Sequence, residues 1–229
     1  SCIMTYNLTA PAVAAESKIF MQETTFFRCN AFSQRLISIP ISKSGRRLIV
    51  GTIFVAGSYG VGKSTLCDKL SKALGLPAYS AGDLISSING EQYGANKAVQ
   101  NKEANQDLLA IEVRKKLAQH PTILLAGHFC IFDRLNGVDK LPWSVFTKLV
   151  LDQILLLEAD PYRILSNLSI RDKKEYQFEH IQLLLSAERQ MAQEVAKQCS
   201  CCLHIHQMSF DNSDLQKCMH TLALEGASL

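Results

Sequence analysis

Gly57-Ser58-Tyr59-Gly60-Val61-Gly62-Lys63-Ser64, with Thr65 directly after it, is the stretch that decides the fold. It fits the phosphate-binding loop pattern G-x-x-x-x-G-K-[ST], and its flanks supply the setting that pattern needs. Upstream, the apolar run Leu48-Ile49-Val50-Gly51-Thr52-Ile53-Phe54-Val55 reads as a buried strand. Downstream, Thr65 to Leu74 reads as an amphipathic helix with Leu66, Leu70, Ala73 and Leu74 on one face. The glycines let the backbone wrap a polyphosphate, because only Gly adopts the required dihedrals without a Cβ clash. Backbone N–H groups and the helix N-terminus then point at negative charge. Lys63 is placed to reach the β- and γ-phosphates, and Ser64 to ligate Mg²⁺.

The 229 residues suffice for one α/β domain with a full core, and an apolar content of 47% argues for a folded chain. No apolar run approaches the roughly 20 residues of a membrane span. The net charge of +3 is unevenly placed. Lys18, Arg28, Arg35, Lys43, Arg46 and Arg47 stand against Glu16 and Glu23, so residues 1–47 carry +4 and the remainder carries −1. A near-neutral remainder argues against a large nucleic-acid face. The basic arm, 1–47, is expected to be an N-terminal extension, with an extra strand or hairpin around Phe26–Phe32 and Arg35–Ile41, and is open to contact a protein partner. A transit peptide fits less well, because Glu16 and Glu23 interrupt it. Met4 reads as a candidate start. Eight cysteines, with Cys67 on the loop helix and Cys130 after a core strand, read as free thiols in a reducing cytoplasm where ATP is supplied.

Past the first helix, Pro77–Ser80 reads as a second strand and Ala81–Ile85 as the next helical piece. Glu91–Asn96 reads as a mobile loop and Ala98–Ala118 as a helix ended by Pro121. Thr122–Ala126 is a strand, Leu135–Leu141 a surface loop, and Pro142–Phe146 a short helix. Gln153–Glu158 is a strand of the continuous apolar kind found inside parallel sheets. Asp160-Pro161 is an N-cap followed by Pro at the first helical position, opening a helix towards Ile170. Glu175–Lys197 reads as a helix and Leu203–His206 as a last strand. Asp211 or Ser213 caps a final helix to Leu224. This alternation implies a doubly wound, five-stranded parallel sheet between helical layers, the three-layer sandwich of P-loop proteins, over residues 48–229.

A GTPase is expected to carry N-K-x-D, and Asn96-Lys97-Ala98-Val99 lacks the acid. The chain instead resembles the archaeal-type adenylate kinases and related small bacterial P-loop nucleotide kinases, an AAA-type ATP-binding group. The resemblance rests on Gly57–Thr65, Ser80–Ile85, Asn105-Gln106-Asp107, Ile123–Phe129, Leu157–Pro161, Arg171-Asp172 and Glu188-Arg189, over about residues 48–207. It implies ATP as phosphoryl donor with Mg²⁺, and a small nucleotide or nucleoside acceptor. It also implies a short lid near 166–178 bearing Arg171, with Asp83 and His128 facing the acceptor. Three departures stand out. Ala126 occupies the strand-end position where the group carries Asp. Ser166 and Asn167 stand where it carries arginines, and Lys174 replaces a second lid arginine, losing bidentate geometry. Glu158, one strand later, is a second-best carboxylate.

Several residues admit two readings. Asp83 is an acceptor-hydroxyl base or base-edge partner, or a helix N-cap. His128 leaves a strand at the end where open α/β sheets bind ligands, or is a satisfied core histidine. Arg171 clamps phosphates from a lid, or pairs with Asp172 on a helix end. Cys202, His204 and His206 share one side of a strand, which permits a metal, although their spacing matches no common zinc pattern. ATP-dependent phosphoryl transfer to a small acceptor is the expected function. The alternative is a nucleotide-binding switch or regulatory subunit with little turnover.

Overall fold

In the computed structural model, residues 50–89, 102–133, 137–173 and 175–222 are described. Strand β1 (Gly51–Gly57) is buried at every position. It lies at the centre of five parallel strands in the order β2 (Ala78–Ser80), β3 (Thr122–Ala126), β1, β6 (Leu151–Glu158), β7 (Cys202–Gln207). The doubly wound five-stranded parallel sheet read from the sequence is therefore the fold. Register runs Phe54 beside Leu125 on one side and Ile154 on the other. The strand order reverses between β3 and β1, so their C-terminal ends open the crevice in which such sheets bind ligands.

Alternation along the strands builds two apolar layers. Ile53, Val55, Leu124, Leu155 and Leu157 face α1 (Lys63–Leu74), α5 (Pro161–Asp172) and α7 (Ser213–Thr221), meeting Leu66, Leu70, Ile164, Leu168 and Cys218. Phe54, Ile123, Leu125, Ile154 and Leu156 face α2 (Ala81–Asn89), α3 (Lys102–Gln119), α4 (Trp143–Thr147) and α6 (Phe178–Cys199). There Phe54 meets Phe129 and Phe146 edge-on, at 5.2 and 5.6 Å between ring centroids. Burial on both faces explains why β1, β3 and β6 read as continuous apolar runs. No described helix is long and apolar enough to cross a membrane.

Some boundaries differ from expectation. Leu135–Leu141 is not simply a loop: β5 (Gly137–Lys140) pairs antiparallel with β4 (Cys130–Asp133), Ile131 opposite Asp139 and Phe132 opposite Val138. The charges of Asp139 and Lys140 and the four-residue length hide this hairpin from a pattern search. Helix α6 opens at Phe178, not Glu175, because Gln177 at its N-cap is extended, with φ −82° and ψ 135°, while α5 ends where Lys173 takes a left-handed φ of 52°. Asp160 caps α5 as read, its Oδ1 accepting the N–H groups of Tyr162 at 2.9 Å and Arg163 at 3.2 Å. Asn212 holds the N-cap position of α7, while Asp211 Oδ1 accepts the Ser213 N–H at 2.7 Å. That helix stops at Thr221, short of Leu224. The N-terminal extension 1–47, the 91–96 loop and Lys174 lie outside the described residues.

Candidate active site

The glycine loop joins the C-terminal end of β1 to the first turn of α1, in the crevice beside β3. Two of its glycines are obligatory. Gly57 has φ 142°, and a Cβ there falls 2.4 Å from the Leu157 carbonyl oxygen. Gly60 has φ 78°, and a Cβ there falls 2.9 Å from Leu168 Cγ. A side chain at either position strains the backbone and fills the space the loop needs. The Lys63 ammonium sits inside the loop, donating to the carbonyl oxygens of Gly57 and Ser58, both at 2.8 Å. The cradle thus holds a positive charge within a ring of backbone, at the N-terminal end of a twelve-residue helix. These residues fit a polyphosphate.

His128 comes to the same place from the other strand. Its Nδ1 lies 3.4 Å from Lys63 Nζ, and the Tyr59 ring stacks against it at 4.0 Å between centroids. Behind it stands Glu188 of α6, a residue quoted from the sequence only as part of a family string. The residue is 1% exposed. Oε1 accepts the N–H groups of Phe129 at 3.0 Å and Cys130 at 2.9 Å, and lies 3.8 Å from His128 Nδ1. Burial pushes its carboxyl from the ordinary 4.5 up to about 7, against the opposing pull of the Cys130 N–H, Lys63 and the Phe129 N–H. Lys63, His128 and Glu188 form a line from the loop into the core.

Two further contacts went unforeseen. Asn167 of α5 donates from Nδ2 to the Gly60 carbonyl oxygen at 3.0 Å, bracing the loop from the position where the resembled group carries arginine. On the far side of Gly62, a cleft of about 130 Å³ is lined by Thr65, Lys69, Met208, Phe210 and Asp211 among others. Its outer wall is the segment after β7, and Asp214 holds that segment in shape. Asp214 Oδ1 pairs with His206 Nε2 at 2.9 Å and accepts the Ser209 N–H at 2.9 Å, while Oδ2 accepts the Asp211 N–H at 3.2 Å.

The remaining sequence candidates fall differently. Asp83 is exposed in the first turn of α2, and its own N–H donates to Ser80 Oγ at 3.3 Å, so the capping side chain is Ser80 and not Asp83. Ser80 pairs with Ala126 in register, which puts the start of α2 at the sheet edge that carries His128. Arg171 lies at the end of α5 with both ends of its guanidinium on Asp172, at 2.6 and 2.8 Å, and Tyr176 joins the same carboxylate. Glu158 is engaged by Arg189 through Nε at 2.6 Å and through Nη2. Ser64 is exposed on the first turn of α1 and available to a cation carried by the phosphates. The end of β3 offers it no carboxylate, Ala126 being only 7% exposed in the apolar layer. The position at His206 is taken up by Asp214, and among the described residues no three His, Cys, Asp or Glu side chains converge to hold a metal.

The sheet order, the glycine cradle and the enclosed lysine define a P-loop protein of the small-kinase fold. The chain belongs to the family described as an AAA domain, which matches residues 56–184, more than half of its length. No curated protein sequence matches it. Among solved structures, a sugar kinase from Janibacter sp. HTCC2649 superimposes with a TM-score of 0.50 at 14% identity, over 78% of this chain and 98% of that one. A gluconokinase from Sinorhizobium meliloti 1021 gives 0.50 at 15%, over 78% and 94%. Shikimate kinase from Acinetobacter baumannii, in complex with shikimate, gives 0.52 at 15%, over 77% and 95%. Identities this low establish the shared fold.

Proposed function

We propose that the chain transfers the terminal phosphoryl group of ATP to a small acceptor, a nucleoside, nucleotide or comparable hydroxyl compound. The observation that carries the reading is the Lys63 ammonium seated inside the 57–65 loop with His128 beside it at the crevice of the sheet. Gly57, Ser58, Tyr59, Gly60, Val61, Gly62, Lys63, Ser64 and Thr65 bind the polyphosphate through the loop N–H groups and the α1 N-terminus. Lys63 exchanges its two carbonyl partners for phosphate oxygens and stabilises charge on the migrating group. The Met208 and Phe210 cleft beyond Gly62 takes the base, with Phe210 as an aromatic face. The Ser64 hydroxyl would hold a Mg²⁺ ion carried by the nucleotide, which would supply charge neutralisation at the phosphate oxygens. Asp83 and His128, which follow the C-terminal ends of the paired strands β2 and β3, orient the acceptor, and Asp83 accepts its proton. Arg171 serves as a lid residue once it is released from Asp172. Lid closure around Arg171 excludes water and suppresses hydrolysis. The neighbours named as sugar, gluconate and shikimate kinases extend the acceptor scan beyond nucleotides. Cys67, Cys130, Cys201 and Cys218, buried and free, suit a reducing cytoplasm.

The test is ADP release from Mg·ATP in the presence of nucleosides, nucleoside monophosphates, sugars, sugar acids and hydroxy acids, each in turn. Acceptor-dependent release with a phosphorylated product supports the reading; slow hydrolysis indifferent to every acceptor overturns it. Two observations favour a second reading, a nucleotide-binding switch with little turnover contacting a partner through residues 1–47: the strand-end acid is absent at Ala126, and Glu158 is occupied by Arg189. Ala126→Asp separates the two. An enzyme weakened by the missing acid gains on the order of tenfold or more in turnover; a switch gains nothing.

A further inference from the structure

Glu188 is an anomaly on its helix. Leu184, Ala187, Met191, Ala192 and Val195 make one buried face of α6, and Glu188 lies among them. A carboxylate on a core face is costly to desolvate unless its oxygens are satisfied and a cation answers its charge. Two N–H bonds from the turn after β3 satisfy Oε1. They do not require a charge, since an amide oxygen accepts equally well. The charge is answered by Lys63, reached through His128, whose Nδ1 stands 3.4 Å from the ammonium and 3.8 Å from the carboxylate. In this arrangement the imidazole nitrogen nearest Lys63 is an acceptor.

We propose that His128 and Glu188 are a proton-taking pair that charges when a polyphosphate enters the loop. The inference rests on the nucleotide-binding reading above. Lys63 is drawn from His128 Nδ1 to the phosphates. Nδ1 takes a proton from solvent and its N–H turns to Glu188. The imidazolium then stands as a second cation beside Lys63, on the edge of the loop that Tyr59 covers. No other bond changes; one proton leaves the buffer and one positive charge is added at the pair. Incoming phosphate charge and the departure of Lys63 both favour uptake. The pair shares the proton, so the titration belongs to both groups. Other titratable neighbours among the described residues are engaged elsewhere. Tyr59 presents its ring face, the Cys130 thiol is pushed up to about 12 by burial, and Asp139 and Lys140 act on that thiol with opposite sign. Arg189, next along α6, is engaged by Glu158. Glu188 is thus a positioning residue acting through His128, and the pair supplies charge that Ser166 and Asn167 do not.

The experiment is calorimetric titration of the full chain with the Mg²⁺ complex of a non-hydrolysable ATP analogue at pH 7.5, in buffers of different ionisation enthalpy. The slope of observed heat against buffer enthalpy gives protons taken up per nucleotide bound, independent of affinity. Wild type is expected to take up between roughly 0.3 and 1 proton, and His128→Gln and Glu188→Gln each less than about 0.1. His128, with a side chain 24% exposed, can be exchanged while Glu188 keeps its two N–H bonds, so H128Q carries the test even where E188Q fails to fold. Wild-type binding with no buffer-dependent heat, or uptake unchanged in H128Q, overturns the pair alone. A wild-type chain that gives no binding heat overturns the phosphate-loop reading and the pair with it.

Discussion

At the scale of single residues, the site divides into what spacing fixes and what only folding assembles. The seat of Lys63 inside the loop and of Ser64 on the first turn of α1 was legible because a glycine loop between strand and helix constrains the backbone tightly. Glu188 was not: the N–H groups it binds lie 58 and 59 residues earlier in the chain, and a lone Glu within a helical pattern reads as solvated. Its burial predicts a pH effect of definite sign. The folded carboxyl sits at about 7 against an ordinary 4.5, so the folded state holds the proton more tightly through that window. Its contribution to stability is fully present below the lower value and is lost as pH rises towards the upper one. Urea midpoints at pH 5 and pH 8 are expected to fall more in wild type than in Glu188→Gln. An equal fall in both contradicts the perturbed carboxyl.

At the scale of elements, helix α5 is the strut of the phosphate loop. Asp160 holds its first turn, Ile164 and Leu168 bury it against β1 and β6, and Asn167 reaches from its middle to the Gly60 carbonyl. The cap was readable from Asp160-Pro161, since both residues have one physical use at a helix start. The brace was not, because Asn167 stands where the resembled kinases carry arginine and carboxamides give no periodic signal. Asp160→Ala is expected to cost about 1 kcal/mol in urea unfolding, the usual value of a cap. Asn167→Ala leaves the apolar face of α5 intact and loosens the loop, so nucleotide affinity is expected to fall roughly three- to tenfold with little change in stability. Equal nucleotide affinity in calorimetry of both chains removes the brace from the binding site. The β4–β5 hairpin shows the opposite limit: four-residue strands bearing Asp139 and Lys140 carry too little alternation to be seen before pairing brings Phe132 opposite Val138.

At the scale of the whole molecule, which strands lie inside the sheet followed from burial. Ile53–Ala56, Leu124–Leu125 and Ile154–Leu157 are apolar without alternation, so each needs a covered face on both sides, and three such strands belong in the interior of a parallel sheet. Acceptor identity has no such signature, because it depends on pocket shape rather than on apolar run length. What the whole fold does predict is coupling between nucleotide and stability. The loop ties β1 to α1, Asn167 ties it to α5, and His128 with Glu188 ties it to β3 and α6, so a ligand gripping the loop holds both apolar layers. A ligand at about 100 times its Kd adds roughly 2.7 kcal/mol to the folded state. For a chain of this size that is a rise of about 5–10 °C in Tm. Mg·ATP is expected to raise the wild-type Tm by this amount, and Lys63→Ala, which keeps the core and loses the ammonium in the loop, is expected to shift by no more than about 2 °C under the same conditions. An equal shift in the two chains places the nucleotide somewhere other than the 57–65 cradle.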